Sequence, residues 1–436
     1  MNPLRLDRAR VAMLAIFMMG IWGMAPAHAE TLAQAWAQAL GAHPSLRAAQ
    51  ARSDAAASGI DVARAAGRPG LAAEAGYTVL DHAPAMQADL LGQTLQLPVS
   101  QAHSVSVRVA ATLPVYTGGR IAQGEAAATS TWEAAQAQAA VRCQSLKLAV
   151  AQAYVAVLRA ERGVQLAEAQ QARLAAHRQD ALNLLDQGMA GRNELLAADV
   201  SLAEARHHTL QARHRLALAQ AGYNQWLARP LDQPVALDPL PTPAVADEPA
   251  ALAPLVARAR AERSELVAIS REMQALDHQA GAVRGEAAPQ LAVSGGYGYQ
   301  QNRYQVQPGQ WFMGVGVRWQ VADGGAVDHR AAALQRQRAA LQAQREELAV
   351  QIDLQVREAW LGLQAAGQQM AVTGTAVQQA EENLRIVQDR YGQGLSTHTE
   401  VLEAQALRLG SEVRQADAVF DAVLAELRLQ HASAGL

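Results

Sequence analysis

Two stretches of this chain are too long and too regular for any compact domain, and they constrain the fold more than any other feature. Residues 118 to 186 and 324 to 391 contain no proline, and each runs into a Gln-Gly dipeptide, Gln187-Gly188 and Gln393-Gly394. At 1.5 Å per residue either stretch reads as a helix of roughly 100 Å, far beyond a globular core. On the second, Val356, Leu363, Met370, Val377, Leu384 and Tyr391 recur every seven residues. Ala359, Ala366, Thr373, Ala380 and Val387 stand three residues after the first five of these. Large residues in one column and small ones in the other make a heptad seam that lets a neighbouring helix approach closely. Gly188 and Gly394 supply the left-handed residue that ends each helix, and shorter helices return over 194–227 and 399–431.

The echo is not confined to the turns. An offset of 206 carries Gly118-Gly119 onto Gly324-Gly325, Ala153-Tyr154 onto Ala359-Trp360, and Glu194 onto Glu400. Upstream, Leu46, Pro69 and Tyr77 match Leu266, Pro289 and Tyr297 at 220, so one copy carries fourteen extra residues between Tyr77 and Gly118. The chain therefore reads as two copies of one plan, 30–228 and 257–436. The join, 229–256, holds seven of the sixteen prolines and reads as an extended connection.

Four segments alternate with a period of two: 71–80, 104–116, 290–301 and 311–321. In the second, Val105, Val107, Val109, Leu113 and Val115 share one side while Ser104, Ser106, Arg108 and Thr112 share the other. In the fourth, Trp311, Met313, Val315, Val317, Trp319 and Val321 oppose Arg318 and Gln320. About ten residues suits a tilted strand crossing a membrane, and Tyr77, Tyr297, Tyr299, Trp311 and Trp319 on the apolar faces suit its interfaces. Four strands cannot close a barrel, whose smallest form has about eight, and an open edge in hydrocarbon leaves costly unpaired backbone groups. Membrane strands of this kind require several chains to share one wall.

The first residues complete the picture. Arg5, Arg8 and Arg10 precede an apolar run from Val11 to Trp22 and then Ala27-His28-Ala29, the order of a secretory signal peptide spanning 1–29. Cleavage would leave Glu30 first, with no lipoprotein cysteine at the cut. It would remove three Arg and one Asp, taking the formal charge from −3 to −5. A mildly acidic chain with one lysine, Lys147, is a poor nucleic-acid binder. Its one cysteine, Cys143, can form no internal disulfide and reads as a small apolar helix residue.

This plan resembles the TolC family of outer-membrane efflux and secretion channels over essentially the whole mature chain. The resemblance rests on Ala39-Leu40 with His43-Pro44, Pro69 before the first strand, Gly118-Gly119 and Gly324-Gly325. Above all it rests on Arg390-Tyr391, Gly394 and Thr399-Glu400-Val401-Leu402-Glu403-Ala404, which is similar to the family's periplasmic-tip turn. It implies a mainly α fold with a small β part: a homotrimer with a twelve-stranded barrel in the outer membrane and a twelve-helix tunnel through the periplasm. It further implies a passive duct that needs no cofactor and meets a periplasmic adaptor and an inner-membrane pump. The adaptor would touch the tip turns at Gly188, Met189, Gly394, Leu395 and Ser396. Glu400 and Glu403, with Glu194 in the first copy, would line the entrance as rings of carboxylates that favour cations and raise one another's pKa values. Tyr391 matches a tyrosine of the resting latch, whereas Ser396 stands where the best-known member has arginine. Glu400 and Glu403 read on their own terms also suit a helix start, where acids complement the dipole.

Two other classes are weighed. His207, His208 and His214 are the densest histidines, but they lack an i, i+4 pair, and no HExxH or CxxC accompanies them, so neither a metal site nor an enzyme is expected. Gly314-Val315-Gly316 sits in a strand pattern, not a nucleotide loop. A periplasmic adaptor with a single long hairpin is the second alternative, and the doubled hairpin argues against it. The loop 81–103 carries no readable substrate code.

Overall fold

The computed structural model describes residues 29–90, 92–189, 191–242 and 251–436. The signal-peptide reading lies outside these residues apart from Ala29, and so does the middle of the proline-rich join. Among the described residues fourteen elements follow in chain order. The first copy gives α1 (Leu32–Ala42), α2 (Pro44–Ala65), β1 (Gly70–Val79), β2 (Ala85–Leu90), β3 (Gln93–Pro98), β4 (His103–Tyr116), α3 (Arg120–Asp186) and α4 (Arg192–Trp226). The second gives α5 (Leu252–Glu262), α6 (Ser264–Gly285), β5 (Gln290–Gln300), β6 (Gly309–Arg318), α7 (Ala326–Gly392) and α8 (His398–Ala432).

The helices repeat in length copy for copy. α1 and α5 have 11 residues, α2 and α6 have 22, α3 and α7 have 67, and α4 and α8 have 35. What breaks the symmetry is the hairpin β2–β3, which occupies Ala85 to Pro98, the length of the surplus between the copies. The loop reading of 81–103 is corrected here: Met86, Ala88, Leu95 and Leu97 form one face of an antiparallel ladder turned at Gly92, whose φ is +81°. The fold is mainly helical with a small β part, as the sequence predicts.

Contacts divide the chain into two compact units that each draw on both copies. One unit comprises Ser45–Cys143 and Leu252–Arg357. Its sheet has the order β1-β4-β5-β6, antiparallel throughout, and among the described residues β1 and β6 each pair on one side only. Paired residues of an antiparallel ladder point to one face. The register therefore gathers Ala73, Val109, Tyr297 and Trp311 in one row and Leu71, Ala111, Gly295 and Met313 in another. The opposite face carries Glu74, Arg108, Ser106, Gln300, Ser294 and Gln310. There the Arg108 guanidinium lies 4.7 Å from the centre of the Phe312 ring. Cross-helix pairs hold the rest of this unit, among them Arg64 with Glu125 at 2.6 Å, Arg271 with Glu133 at 3.1 Å and Arg338 with Asp277 at 2.9 Å. At the exit of β4 the backbone turns through Gly118, with φ +59°. A Cβ there would lie 2.3 Å from that of Ala288, so a side chain is excluded by conformation and by space.

The sequence extends the last strand to 321, but the ladder stops at Arg318. Trp319 has left the sheet, and its indole N–H donates to the carbonyl of Ala287 at 3.1 Å. That bond satisfies the ring nitrogen at the cost of the next ladder position.

The other unit comprises the described residues up to Pro44 together with Gln144–Ala251 and Glu358–Leu436. Its core is small residues packed among large ones. Ala151, Val155, Val423 and Leu427 meet Leu32, Trp36 and Phe420, and Ala366, Ala422 and Ala425 meet Leu363 and Met370. The heptad columns of α7 within this unit are buried or half-buried, with Ala366, Ala380 and Leu384 fully so. Here burial, not intrinsic propensity, selects the helical face. A polar clamp joins the start of the described chain to the end of α4. The Glu30 carboxylate accepts from Arg229 Nη1 and Nη2 at 2.9 and 2.5 Å and from the Tyr223 hydroxyl at 3.0 Å. The Tyr154 hydroxyl donates to the carbonyls of Glu30 and Asp238, each at 2.7 Å. Burial first, then the Asp238 carboxylate, pushes the Tyr154 phenol up to about 12, so it stays a donor.

Candidate functional site: the two hairpin tips

Both long helices end in the same backbone device. Gly188 donates to Leu185 O at 2.9 Å and Met189 to Leu184 O at 2.8 Å, while Gly394 donates to Tyr391 O at 3.0 Å and Leu395 to Arg390 O at 2.9 Å. This pairing of a 5→2 and a 6→1 bond is the Schellman motif, and it needs a left-handed residue at its centre. Gly188 and Gly394 have φ of +70° and +72°. Each turn presents an apolar side chain at the equivalent position, Met189 and Leu395, exposed to 66% and 64%.

Beyond the turn the copies diverge. The return helix α4 starts at Gly191, which offers no side chain to cap it. The return helix α8 starts at Thr397, whose hydroxyl accepts from Glu400 N at 3.3 Å and also bonds Glu400 Oε1 at 3.1 Å. Ser396 Oγ donates to the other carboxylate oxygen of Glu400. This is a capping-box arrangement closed through side chains, worth about 1 kcal/mol to a helix end. The bonds from Ser396 and then Thr397 hold the Glu400 carboxyl below its ordinary range. That lowering arises within one chain, from its own cap; the rise expected for a ring of carboxylates concerns several chains together. Glu403 is apart from this cap, exposed with Thr399, Glu204 and His208 along a groove between α3, α4 and α8.

Tyr391 and Glu194 belong to a different group, one whose centre the sequence did not reveal. His177 on α3 and His398, the first residue of α8, lie stacked with ring centres 4.5 Å apart and planes 16° apart. His177 Nε2 and His398 Nδ1 are 3.0 Å apart, and the residues are 9% and 7% exposed. The half-buried Tyr391 ring lies 6.5 Å from His177 and 6.4 Å from His398. Burial, then the Glu194 and Asp180 carboxylates, push the Tyr391 phenol up. Burial, then His398, pushes His177 down, with Asp180 opposing. The pair joins residues 221 apart, so no local spacing could have signalled it. His207, weighed in the sequence as a metal ligand, instead meets Gln211 one turn along its own helix at 2.8 Å.

The apolar face of the sheet has its own order. Tyr77, Tyr297, Tyr299 and Trp311 cluster toward one end of the ladder, and Tyr116 and Trp319 mark the other. From Trp311 to the last ladder residue, Arg318, is seven residues, about 23 Å of strand. Between them Met313, Val315 and Val317 are 87%, 69% and 67% exposed.

Comparison with known proteins agrees with this architecture. The chain is similar in structure to the outer-membrane channel OprN, at 19% identity and a TM-score of 0.77, covering 93% of this chain and 90% of that one. It is equally similar to the outer membrane protein VceC of Vibrio cholerae, at 19% identity and a TM-score of 0.76, over 93% and 96%. The open-state MtrE outer membrane channel of Neisseria gonorrhoeae matches at 19% identity and a TM-score of 0.73, over 93% and 89%. No curated protein matches the sequence. The outer membrane efflux protein model matches residues 35–227 and 255–435, and the chain belongs to the outer membrane efflux protein family.

Proposed function

We propose that this chain is one of three identical subunits of an outer-membrane duct through which an inner-membrane pump, joined by a periplasmic adaptor, discharges its cargo. The observation that carries the reading is the four-stranded sheet, with an exposed apolar face that bears aromatic residues and, among the described residues, two outer edges unpaired. Its strands of ten to fourteen residues, tilted by about 40°, are long enough to cross the roughly 25 Å apolar band of outer-membrane barrels. Its edges need partners, because an unpaired backbone group in hydrocarbon costs several kcal/mol. Three copies contribute twelve strands, an even number within the range of such barrels. The polar face with Glu74, Arg108 and Gln310 then lines the water-filled interior.

The duct does no chemistry and needs no cofactor. Its control lies at the tips, where Met189, Leu395 and Ser396 meet the adaptor and Glu194, Tyr391, Glu400 and Glu403 surround the entrance. Of the two acids in the second copy, Glu403 is the freer to face a passing ion, since Glu400 is held by its cap. Purified protein in planar bilayers tests this. Glu400→Ala with Glu403→Ala is expected to lower cation preference, with most of the loss reproduced by Glu403→Ala alone. Unchanged selectivity in the double variant would remove these residues from the entrance.

A further inference from the structure

The buried pair His177–His398 has a property that neither histidine has alone. Of the four ring nitrogens two face each other, and only one hydrogen fits between them, because His177 Nε2 and His398 Nδ1 are 3.0 Å apart. The reverse direction would put the hydrogen of a neutral His398 on its partnerless Nε2, so the neutral pair is satisfied with His398 Nδ1 donating to His177 Nε2 and His398 Nε2 a bare lone pair. Among the described residues that atom is buried and has no hydrogen-bond partner. As a lone pair it is tolerable. A third proton on the pair changes this whichever ring takes it: with one hydrogen between the rings, the others must sit on His177 Nδ1 and His398 Nε2. Acid therefore forces a buried N–H with no acceptor, and a positive charge, onto the contact at once. An unsatisfied buried donor opposes the folded contact, and more strongly when charged.

The surroundings offer little compensation. On α3, Asp180 favours the charged form of His177, but burial and His398 outweigh it. Arg178 on the same helix is paired with Asp199 of α4 at 2.8 Å. Tyr391 of α7 lies beside the pair within the electrostatic reach of Glu194 of α4, and Glu400 of α8 is held by Ser396 and Thr397. The carboxylates ordinarily titrate near 4 and the histidines near 6.5, so the two sets respond in separate pH ranges.

We propose that the His177–His398 contact is an acid-released latch, which holds the start of α8 against α3 at neutral pH and lets the second tip swing away when the pair takes up a proton. Because His177 binds a proton less readily folded than unfolded, the contact is at full strength above the ordinary histidine range and weakens as the pH falls through it. The inference rests on the reading of the tips as the duct's control point, and it adds what the control senses: the proton concentration of the compartment that the tip occupies.

Hydrogen exchange of the full-length protein in detergent, corrected for the intrinsic rate, tests it between pH 7.5 and 5.5. Amides over residues 391–405 are expected to open about tenfold more readily at the lower pH, the change that one proton taken up across one pH unit produces. Amides around Tyr154 and Tyr223 are expected not to change. His398→Gln, neutral at both pH values, is expected to abolish the difference. A full pH titration of the unmodified protein needs no variant: a midpoint in the histidine range supports the latch, and one near 4 assigns the change to carboxylates and overturns it. Equal protection at both pH values, or a difference that survives in both His177→Gln and His398→Gln, also overturns it. Exchange reads the latch whether or not the tip is the gate. Acid-dependent exchange with unaltered ion selectivity in Glu400→Ala, Glu403→Ala would retain the latch and discard the entrance reading.

Discussion

Two buried polar clusters lie within the same compact unit, and they are built on opposite rules. The clamp around Glu30 sets a carboxylate against a guanidinium whose side chains are only 16% and 14% exposed, and two tyrosines and Gln38 complete it. Fork geometry matches the charges, and each hydrogen bond adds to the others. The tip cluster sets one base against another, shares a single hydrogen between them and leaves a nitrogen without a partner. The difference teaches that burial alone does not make a contact permanent. What matters is whether a change of protonation within the ordinary pH range can turn the partners against each other. In the clamp the Tyr154 phenol is pushed up to about 12, well outside that range.

The comparison breaks most visibly at the clamp. Arg229→Ala would strand the Glu30 carboxylate among buried groups and is expected to cost about 3 kcal/mol, the low end for halving a buried ion pair. Thermal dissociation of the purified assembly reads this, and a loss under about 1 kcal/mol would mean that the clamp is ornamental. At the second tip the expected effect is smaller. Thr397→Ala removes the cap hydroxyl and should cost about 1 kcal/mol of local stability, visible as faster exchange over residues 398–404 with no change around Tyr223. Smallest is the converse at the first tip. Gly191→Ser supplies the cap that α4 lacks and should slow exchange over residues 192–198 by a few tenths of a kcal/mol. A Cβ there meets only the amide end of Asn193, which can swing aside. If Gly191→Ser stabilises as much as Thr397→Ala destabilises, the tips are less unequal than their caps suggest.

Much of this fold was legible in the sequence because its signals are long or doubled. Heptads sustained over α7, strands with period two, and glycines at equal places in two copies each repeat a weak cue until it becomes strong. The hairpin β2–β3 was missed because it exists in one copy only, so the comparison that exposed everything else saw it merely as surplus length. Trp319 was placed in β6 because its parity continued the pattern, but a tertiary bond to Ala287 ended the strand one position earlier. At the site, the acids at Glu400 and Glu403 were visible, and so was the alternative that Glu400 serves its own helix. Which of the two roles prevails depends on Ser396 and Thr397 hydroxyl directions that no sequence pattern encodes. His177 and His398 were invisible for a plainer reason: they come from different copies and meet only when the two hairpins pack.

The central claim is that the sheet of one chain is a third of a closed wall, and the number of chains in the assembly tests it most directly. Native mass spectrometry of the protein extracted from outer membranes in mild detergent is expected to give a single species of three chains. A stable monomer, or a dimer whose eight strands could close a barrel on their own, would contradict the account.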